Sequence, residues 1–355
     1  MQPEPVDQKA GIDFFSLLPS QLAERIGGSG RAKEVWALLR QNKNPQTSEC
    51  LSVRLRNLLA DRFQLAPATL DAKQTASDGT RKLRVKLADG SLIETVVIPG
   101  QRRNTVCIST QVGCARACRF CATGQMGLTR HLSAGEIVYQ INLAQQELKT
   151  ESLAPVDNVV LMGMGEPLDN FEAVQQALAV ICHPHGWRLP PRRITLSTIG
   201  PSPETIERLN DLNCNLAWSL HSADDQVRRQ LIPATRHHNV DLRNAFVKVL
   251  QNRRALLFVE MIMFNKINDR PSDIDLLMEF WAACKERVRV NILPFNQVLK
   301  PTATNLAPSP PQRLAAIRKQ LQNAGFFCEI RRPRGLDIQA ACGQLASTSR
   351  NLDEA

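Results

Sequence analysis

Cys114, Cys118 and Cys121 stand in C-x3-C-x2-C spacing within the run Val112-Gly-Cys-Ala-Arg-Ala-Cys-Arg-Phe-Cys-Ala-Thr-Gly124. A tetrahedral structural metal site needs a fourth ligand, and no fourth cysteine or nearby histidine completes this set. A cubane iron-sulfur cluster is normally held by four thiolates, so three leave one iron free to bind something exchangeable. The competing readings are a zinc knuckle with a distant fourth ligand, and a chance spacing.

A second set of polar residues recurs where short apolar runs end. Met162-Gly-Met-Gly-Glu-Pro167, Ser197-Thr-Ile-Gly200, Ser219-Leu-His-Ser222 and Pro294-Phe-Asn296 each follow or close such a run. Glycines let a ligand approach the backbone closely, a carboxylate can receive an ammonium group, and serine or asparagine can hydrogen-bond hydroxyls. Taken one at a time, Gly-Glu-Pro is equally a helix-start turn, and Ser219 and His221 are equally satisfied core groups. Their recurrence favours a shared site.

Elements must carry these groups to one place. From about residue 104, aliphatic and β-branched strands are expected at 105–110, 158–162, 194–197, 216–220, 257–263, 288–293 and 327–331. Helical periodicity fills the gaps at 134–148, 171–181, 242–252, 274–287 and 312–324. This alternation predicts βαβ units and a parallel sheet, either doubly wound or curled into a barrel, with strand carboxyl ends facing a common mouth. Upstream, residues 11–64 carry helical patterning, and the runs around Asp89-Gly90 alternate as a two-residue hairpin does. A proline-rich patch from Pro301 to Pro311 reads as a loop.

The composition bounds the class. The chain has 355 residues and 43% hydrophobic content, enough for a sizeable core. Ten irregularly spaced cysteines do not form a disulfide framework, which points to a reducing cytoplasm. The first residues carry acids and prolines where a targeting peptide carries bases, and read as a frayed tail. No run of about 18 apolar residues occurs, so no membrane is expected. With 44 Lys and Arg against 34 Asp and Glu, the net charge of +10 makes a polyanion the first partner to consider. Arginines cluster at Gln101-Arg-Arg-Asn104, Pro190-Pro-Arg-Arg193, Val227-Arg-Arg-Gln230 and Ile330-Arg-Arg-Pro-Arg334, each of which is also compatible with a solvated face.

Together with Glu94-Thr-Val-Val-Ile-Pro99, Cys107, Gln111-Val-Gly-Cys114 and Asp337-Ile-Gln-Ala-Ala-Cys-Gly-Gln-Leu345, these motifs resemble the RlmN/Cfr family of radical S-adenosylmethionine RNA methyltransferases. The resemblance runs over about residues 77–346 and is weaker upstream. It implies an α/β fold, a partial TIM-like barrel with a small helical module and hairpin at its amino-terminal side. The implied division is a helical RNA-binding accessory module over 1–76, a hairpin linker over 77–103, a core over 104–346 and a disordered tail over 347–355. It further implies a 4Fe-4S cluster on Cys114, Cys118 and Cys121 whose open iron chelates S-adenosylmethionine. The implied contacts to that molecule are Gly165, Glu166, Ser197, Ser219, Leu220, His221 and Asn296.

The implied reaction is methylation of an adenine ring carbon in 23S ribosomal RNA and, in the RlmN branch, in tRNA. Such a carbon is too weakly nucleophilic to displace a methyl group from a sulfonium, whereas a carbon radical can add to the ring. By resemblance, Cys342 takes a methyl group from one S-adenosylmethionine, and a second yields the 5'-deoxyadenosyl radical that activates that methyl group. Glu94 is the implied base for the ring proton, and Cys107 the thiol that releases product by forming a transient disulfide with Cys342. Read alone, Glu94 is a surface carboxylate of a hairpin, and each thiol a small buried hydrophobe. Cys50, Cys182, Cys214, Cys284 and Cys328 are read as structural. A cytoplasmic monomer supplied by flavodoxin or ferredoxin completes the expectation.

Regiochemistry stays open at this level. Pro167 after Glu166 is similar to the RlmN branch and to C2 chemistry, whereas the Ser197 and Ser219 motifs are closer to Cfr-like sequences and C8. Gln339 stands where an acidic residue is common in either branch. Two rival classes are a radical enzyme with a non-RNA substrate and a zinc-stabilised RNA-binding protein without catalysis.

Overall fold

The computed structural model describes residues 11–297 and 306–346. The expected amino-terminal tail, the tail over 347–355 and the first half of the proline-rich patch lie outside the described residues.

The chain opens with a short strand, β1 (Ile12–Asp13), followed by helices α1 (Pro19–Ile26), α2 (Ser29–Arg40) and α3 (Val53–Arg62). Strand β2 (Phe63–Gln64) then returns parallel to β1. Gly27 ends the first helix with φ +73°, and the Ser52 hydroxyl accepts from the Leu55 amide at 3.3 Å to cap the third. Phe14, Phe15, Trp36 and Phe63 are buried together, with ring centroids about 5 to 6 Å apart. Phe15 also meets Tyr139 at 5.0 Å, so this small core is continuous with that of the main body.

The large sheet starts with β3 (Ala68–Thr75), β4 (Arg81–Leu87) and β5 (Leu92–Ile98), all antiparallel, and continues antiparallel into β6 (Asn104–Cys107). Strands β7 (Gln111–Cys114) and β8 (Gly127–His131) form a separate antiparallel pair around the short helix α4 (Ala122–Gln125). Helix α5 (Ala134–Thr150) follows, begun by a Ser133–Glu136 capping box. The parallel part of the sheet runs from β6 through β9 (Val156–Leu161), β10 (Ile194–Thr198), β11 (Asn215–Ser219), β12 (Leu257–Met263) and β13 (Val288–Pro294) to β14 (Phe327–Ile330). Its connections hold α6 (Phe171–Cys182), α7 (Pro203–Glu207), α8 (Asp225–Leu231), α9 (Asn239–Gln251), α10 (Pro271–Trp281) and α11 (Pro311–Asn323). The end strands β3 and β14 do not pair with each other, so the sheet is open. Side chains from β9, β10, β11, β12 and β13 nevertheless line one cavity, as the expected partial barrel requires.

Several expectations need correction. The Asp89-Gly90 turn is a three-residue loop: the Leu87 amide donates to the Ser91 carbonyl, and Gly90 takes φ +83°. The sheet also begins earlier than the boundary at residue 76. β3 is an edge strand with mostly exposed polar side chains, so it shows no apolar alternation. The helix expected over 274–287 stops at Trp281, and Ala282–Arg287 continues as 3-10 turns. None of those residues is buried, so packing does not hold an α-helix there. Among the described residues no helix is long and apolar enough to cross a membrane.

Candidate active site

The three-cysteine loop hangs between β7 and α4. Gly113 has φ +77°, and a Cβ there would lie 1.9 Å from the Gly127 carbonyl, so only glycine closes the turn before Cys114. The Cys121 amide donates to the Cys118 carbonyl at 3.1 Å, and the Arg119 amide to Leu231 at 3.0 Å. Cys114, Cys118 and Cys121 line one cavity. Burial raises all three thiols, Cys114 to about 12, and neighbouring negative groups, including other thiols of the set, push Cys114 and Cys118 further. A group that binds as thiolates here must supply positive charge, which iron does. Among the described residues no three His, Cys, Asp or Glu gather closely enough for a single ion. Three thiols on one cavity fit the three-ligand set of an iron-sulfur cluster with one open iron.

The same cavity receives the strand ends. Gly165 sits at φ +106°, where a Cβ would lie 2.7 Å from Gln111. Gln111 Oε1 in turn accepts from the Glu166 amide at 2.8 Å. The Glu166 carboxylate accepts from the Leu168 and Ile199 amides, each at 3.0 Å, and burial raises it to about 7. Ser197 and Ser219 present hydroxyls 3.2 Å apart across neighbouring strands. His221 takes φ +59°; its Nδ1 accepts from the Ile262 amide at 3.1 Å, leaving the proton on Nε2. Burial, then Arg228, pulls its pKa down to about 3, so the ring is neutral.

A second cavity adjoins the first. Cys107, Asn296, Arg331, Arg332 and Arg334 line it, and Cys342 lines both. The segment carrying Cys342 is tied to the cysteine loop: the Ala122 amide donates to Gly343 at 2.7 Å and the Thr123 hydroxyl to Leu345 at 2.6 Å. Asn296 Nδ2 donates to the Cys342 carbonyl at 3.3 Å. Cys342 is accessible at this junction, and its enclosed setting raises the thiol to about 11, with Glu260 adding to the rise. Burial, then Cys342, raises Cys107.

Three expected residues stand apart from the three-cysteine cavity, and of these Asn296 lines the second cavity alone. Leu220 is fully buried and does not line the first cavity; its carbonyl accepts from Arg228 instead. Glu94 lines neither cavity. It is buried beside Lys82 at 3.6 Å and accepts from the Ala346 amide at 3.0 Å, beneath the segment that carries Cys342. Burial raises its pKa and Lys82 opposes the rise. Three side chains went unread in the sequence. Thr198 lines the first cavity and accepts from the Gly200 amide at 2.9 Å, Glu260 lines both cavities while accepting from Asn291 at 2.8 Å, and Arg228 packs behind the strand ends. Thr198 follows Ser197 directly, a usable signal; Glu260, inside an apolar run, and Arg228, in a cluster typical of solvated faces, gave none.

Comparison with known proteins agrees with this geometry. The radical SAM superfamily model matches residues 108–279. The chain is 36% identical to the dual-specificity RNA methyltransferase RlmN of Dinoroseobacter shibae, covering 95% of this chain and 90% of that protein. It is 38% identical to the RlmN of Syntrophobacter fumaroxidans, over 92% and 96% respectively. A crystal structure of a radical SAM methyltransferase from Sphaerobacter thermophilus superposes with a TM-score of 0.88 at 32% identity, over 94% of this chain and 99% of that one. A 4Fe-4S cluster and S-adenosylmethionine are the cofactors of this class. At these identities and coverages, the chain belongs to the RlmN family of radical S-adenosylmethionine RNA methyltransferases.

Proposed function

We propose that this enzyme methylates C2 of an adenosine in 23S ribosomal RNA and C2 of an adenosine in tRNA, with Cys342 carrying the transferred carbon. The observation that carries this reading is that Cys342 lines both the cavity of the three cysteines and the cavity of Cys107 and the arginines. The dual-specificity name of the relatives supports two RNA substrates, and Pro167 after Glu166 supports the C2 branch.

When bound on Cys114, Cys118 and Cys121, the cluster supplies with S-adenosylmethionine a 5'-deoxyadenosyl radical. The chain's own residues do the rest. Gly165 gives close backbone approach, Glu166, Ser197, Ser219 and Asn296 offer polar contacts, and neutral His221 closes the wall against Phe120 at 4.8 Å. Leu220 contributes through its backbone alone. Arg331 and Arg332 attract RNA phosphates toward the second cavity, while Arg334 beside them is paired with Asp78. With the transferred carbon joined to the base, the Cys107 thiolate attacks the Cys342 sulfur; the sulfur–carbon bond breaks with its electron pair going to that carbon, which takes up a proton as the methyl group, and a disulfide remains between the two cysteines. Glu94 takes the ring proton once the 341–346 segment shifts off it, since the Ala346 amide now occupies its carboxylate. An external donor such as flavodoxin or ferredoxin, and action as a cytoplasmic monomer, complete the proposal.

The test is nucleoside mass analysis of 23S and tRNA transcripts after anaerobic incubation with the reconstituted enzyme. 2-Methyladenosine in both RNAs is the expected result. 8-Methyladenosine identifies a Cfr-like enzyme and overturns the C2 reading; no modified base in either RNA overturns the substrate assignment.

A further inference from the structure

Arg228 is fully buried, and among the described residues no carboxylate forms an ion pair with it. Its donors go to neutral groups. Nε donates to the Leu220 carbonyl at 3.1 Å, Nη1 to the Thr235 hydroxyl at 3.1 Å, and Nη2 to the Ile199 carbonyl. These bonds satisfy the fork geometry, and the Trp218 ring lies 5.8 Å away, but no anion answers the charge, which a low-dielectric interior penalises. Burial accordingly pulls its pKa down to about 10, with Cys118, Asp225 and Glu166 opposing the fall; Cys118 packs in one cluster with Ile199, whose carbonyl Arg228 bonds, and with Leu231 of the Arg228 helix, and Cys118 and Ile199 line the same cavity.

The two carboxylates are engaged elsewhere. Asp225 holds His238 and the Asn239 amide, each at 2.7 Å, and Glu166 holds the Leu168 and Ile199 amides. Cys118 has no such claim on it, and its loop is tied to the Arg228 helix through the Arg119 amide on Leu231. We infer that Arg228 is the internal counter-charge of the cluster held by Cys114, Cys118 and Cys121, and that it raises the cluster's reduction potential. One-electron reduction from an external donor adds negative charge to a group already ligated by three thiolates. A fixed cation behind the cavity wall that Ile199 and Cys118 share favours the reduced form, because net charge and burial set such potentials. The hydrogen bonds to Ile199 and Leu220 hold the guanidinium in place and brace the two strand-end turns that carry Ser197 and Ser219.

The inference rests on the three cysteines being the cluster ligands, and iron and sulfide counts on the unsubstituted, anaerobically reconstituted full chain test that separately. A parent without cluster sinks the ligand assignment. With a loaded parent, redox titration followed by electron paramagnetic resonance compares it with Arg228→Met, Arg228→Gln and Arg228→Lys. Met and Gln are expected to move the midpoint to a more negative potential, while Lys keeps it near the parent's. Gln retains hydrogen-bonding capacity without charge, so it serves where Met fails to fold by circular dichroism. A charge-free variant that folds, binds cluster and keeps the parental midpoint overturns the inference, as does Lys shifting as far as Gln.

Discussion

Gly165 and Cys342 show how single positions make this site. Gly165 carries φ +106° against the Gln111 side chain, so Gly165→Ala adds both backbone strain and a 2.7 Å contact. Strain of that kind costs about 1–3 kcal/mol. The turn bearing Glu166 shifts instead of absorbing it, and affinity for S-adenosylmethionine is expected to fall roughly tenfold or more, by that same range. Isothermal titration on the reconstituted protein checks this, and unchanged affinity shows that the turn does not contact the cofactor. The cysteine triad was legible in the sequence because its ligands lie within eight consecutive residues. Glu260 and Arg228 were not, since each acquires its role from contacts distant in the chain: Asn291 for one, Ile199 for the other. Glu94 was located correctly on its hairpin, but its cover by Ala346 could not be read from either segment alone.

At the scale of elements, the amino-terminal module joins the main body at α5. Asp13 accepts from the Phe15 amide at 3.0 Å and lies against the first turn of α5, where a Cβ on Gly135 would fall 1.7 Å from its carboxylate. Burial, with Glu136 contributing, raises Asp13 to about 6 from its ordinary 3.8. Between those values the folded chain holds a proton that the unfolded chain has released. Asp13's contribution is therefore fully present below about pH 4 and lost as pH rises through about 6. Thermal midpoints of the parent are expected to fall more steeply over that window than those of Asp13→Asn; parallel slopes exclude the linkage. The parallel strands were legible as short aliphatic runs, with β12 matching at both ends. Strand β3 escaped because an exposed edge strand needs no apolar alternation, and the β7–β8 pair because its residues are dominated by turn and ligand requirements.

Across the whole molecule, an open parallel sheet delivers one set of strand ends to the three-cysteine cavity, while the carboxyl-terminal segment folds back over the cysteine loop. Cys342 is thereby placed at the junction with the arginine-lined cavity, far in sequence from Cys107 and the three-cysteine loop. The parallel sheet followed from the alternation of strands and helices and the partial barrel from the family resemblance, but that fold-back followed from neither, because a loop stitched by Ala122 and Thr123 carries no periodicity. The direct measurement is to incubate reconstituted Cys107→Ala with S-adenosylmethionine, reductant and substrate RNA, then run a denaturing gel. The expected result is an RNA–protein adduct that survives denaturation, with its attachment mapped by mass spectrometry to Cys342. Normal turnover without adduct, or attachment at any other residue, contradicts the assignment of Cys342 as carrier and Cys107 as the releasing thiol.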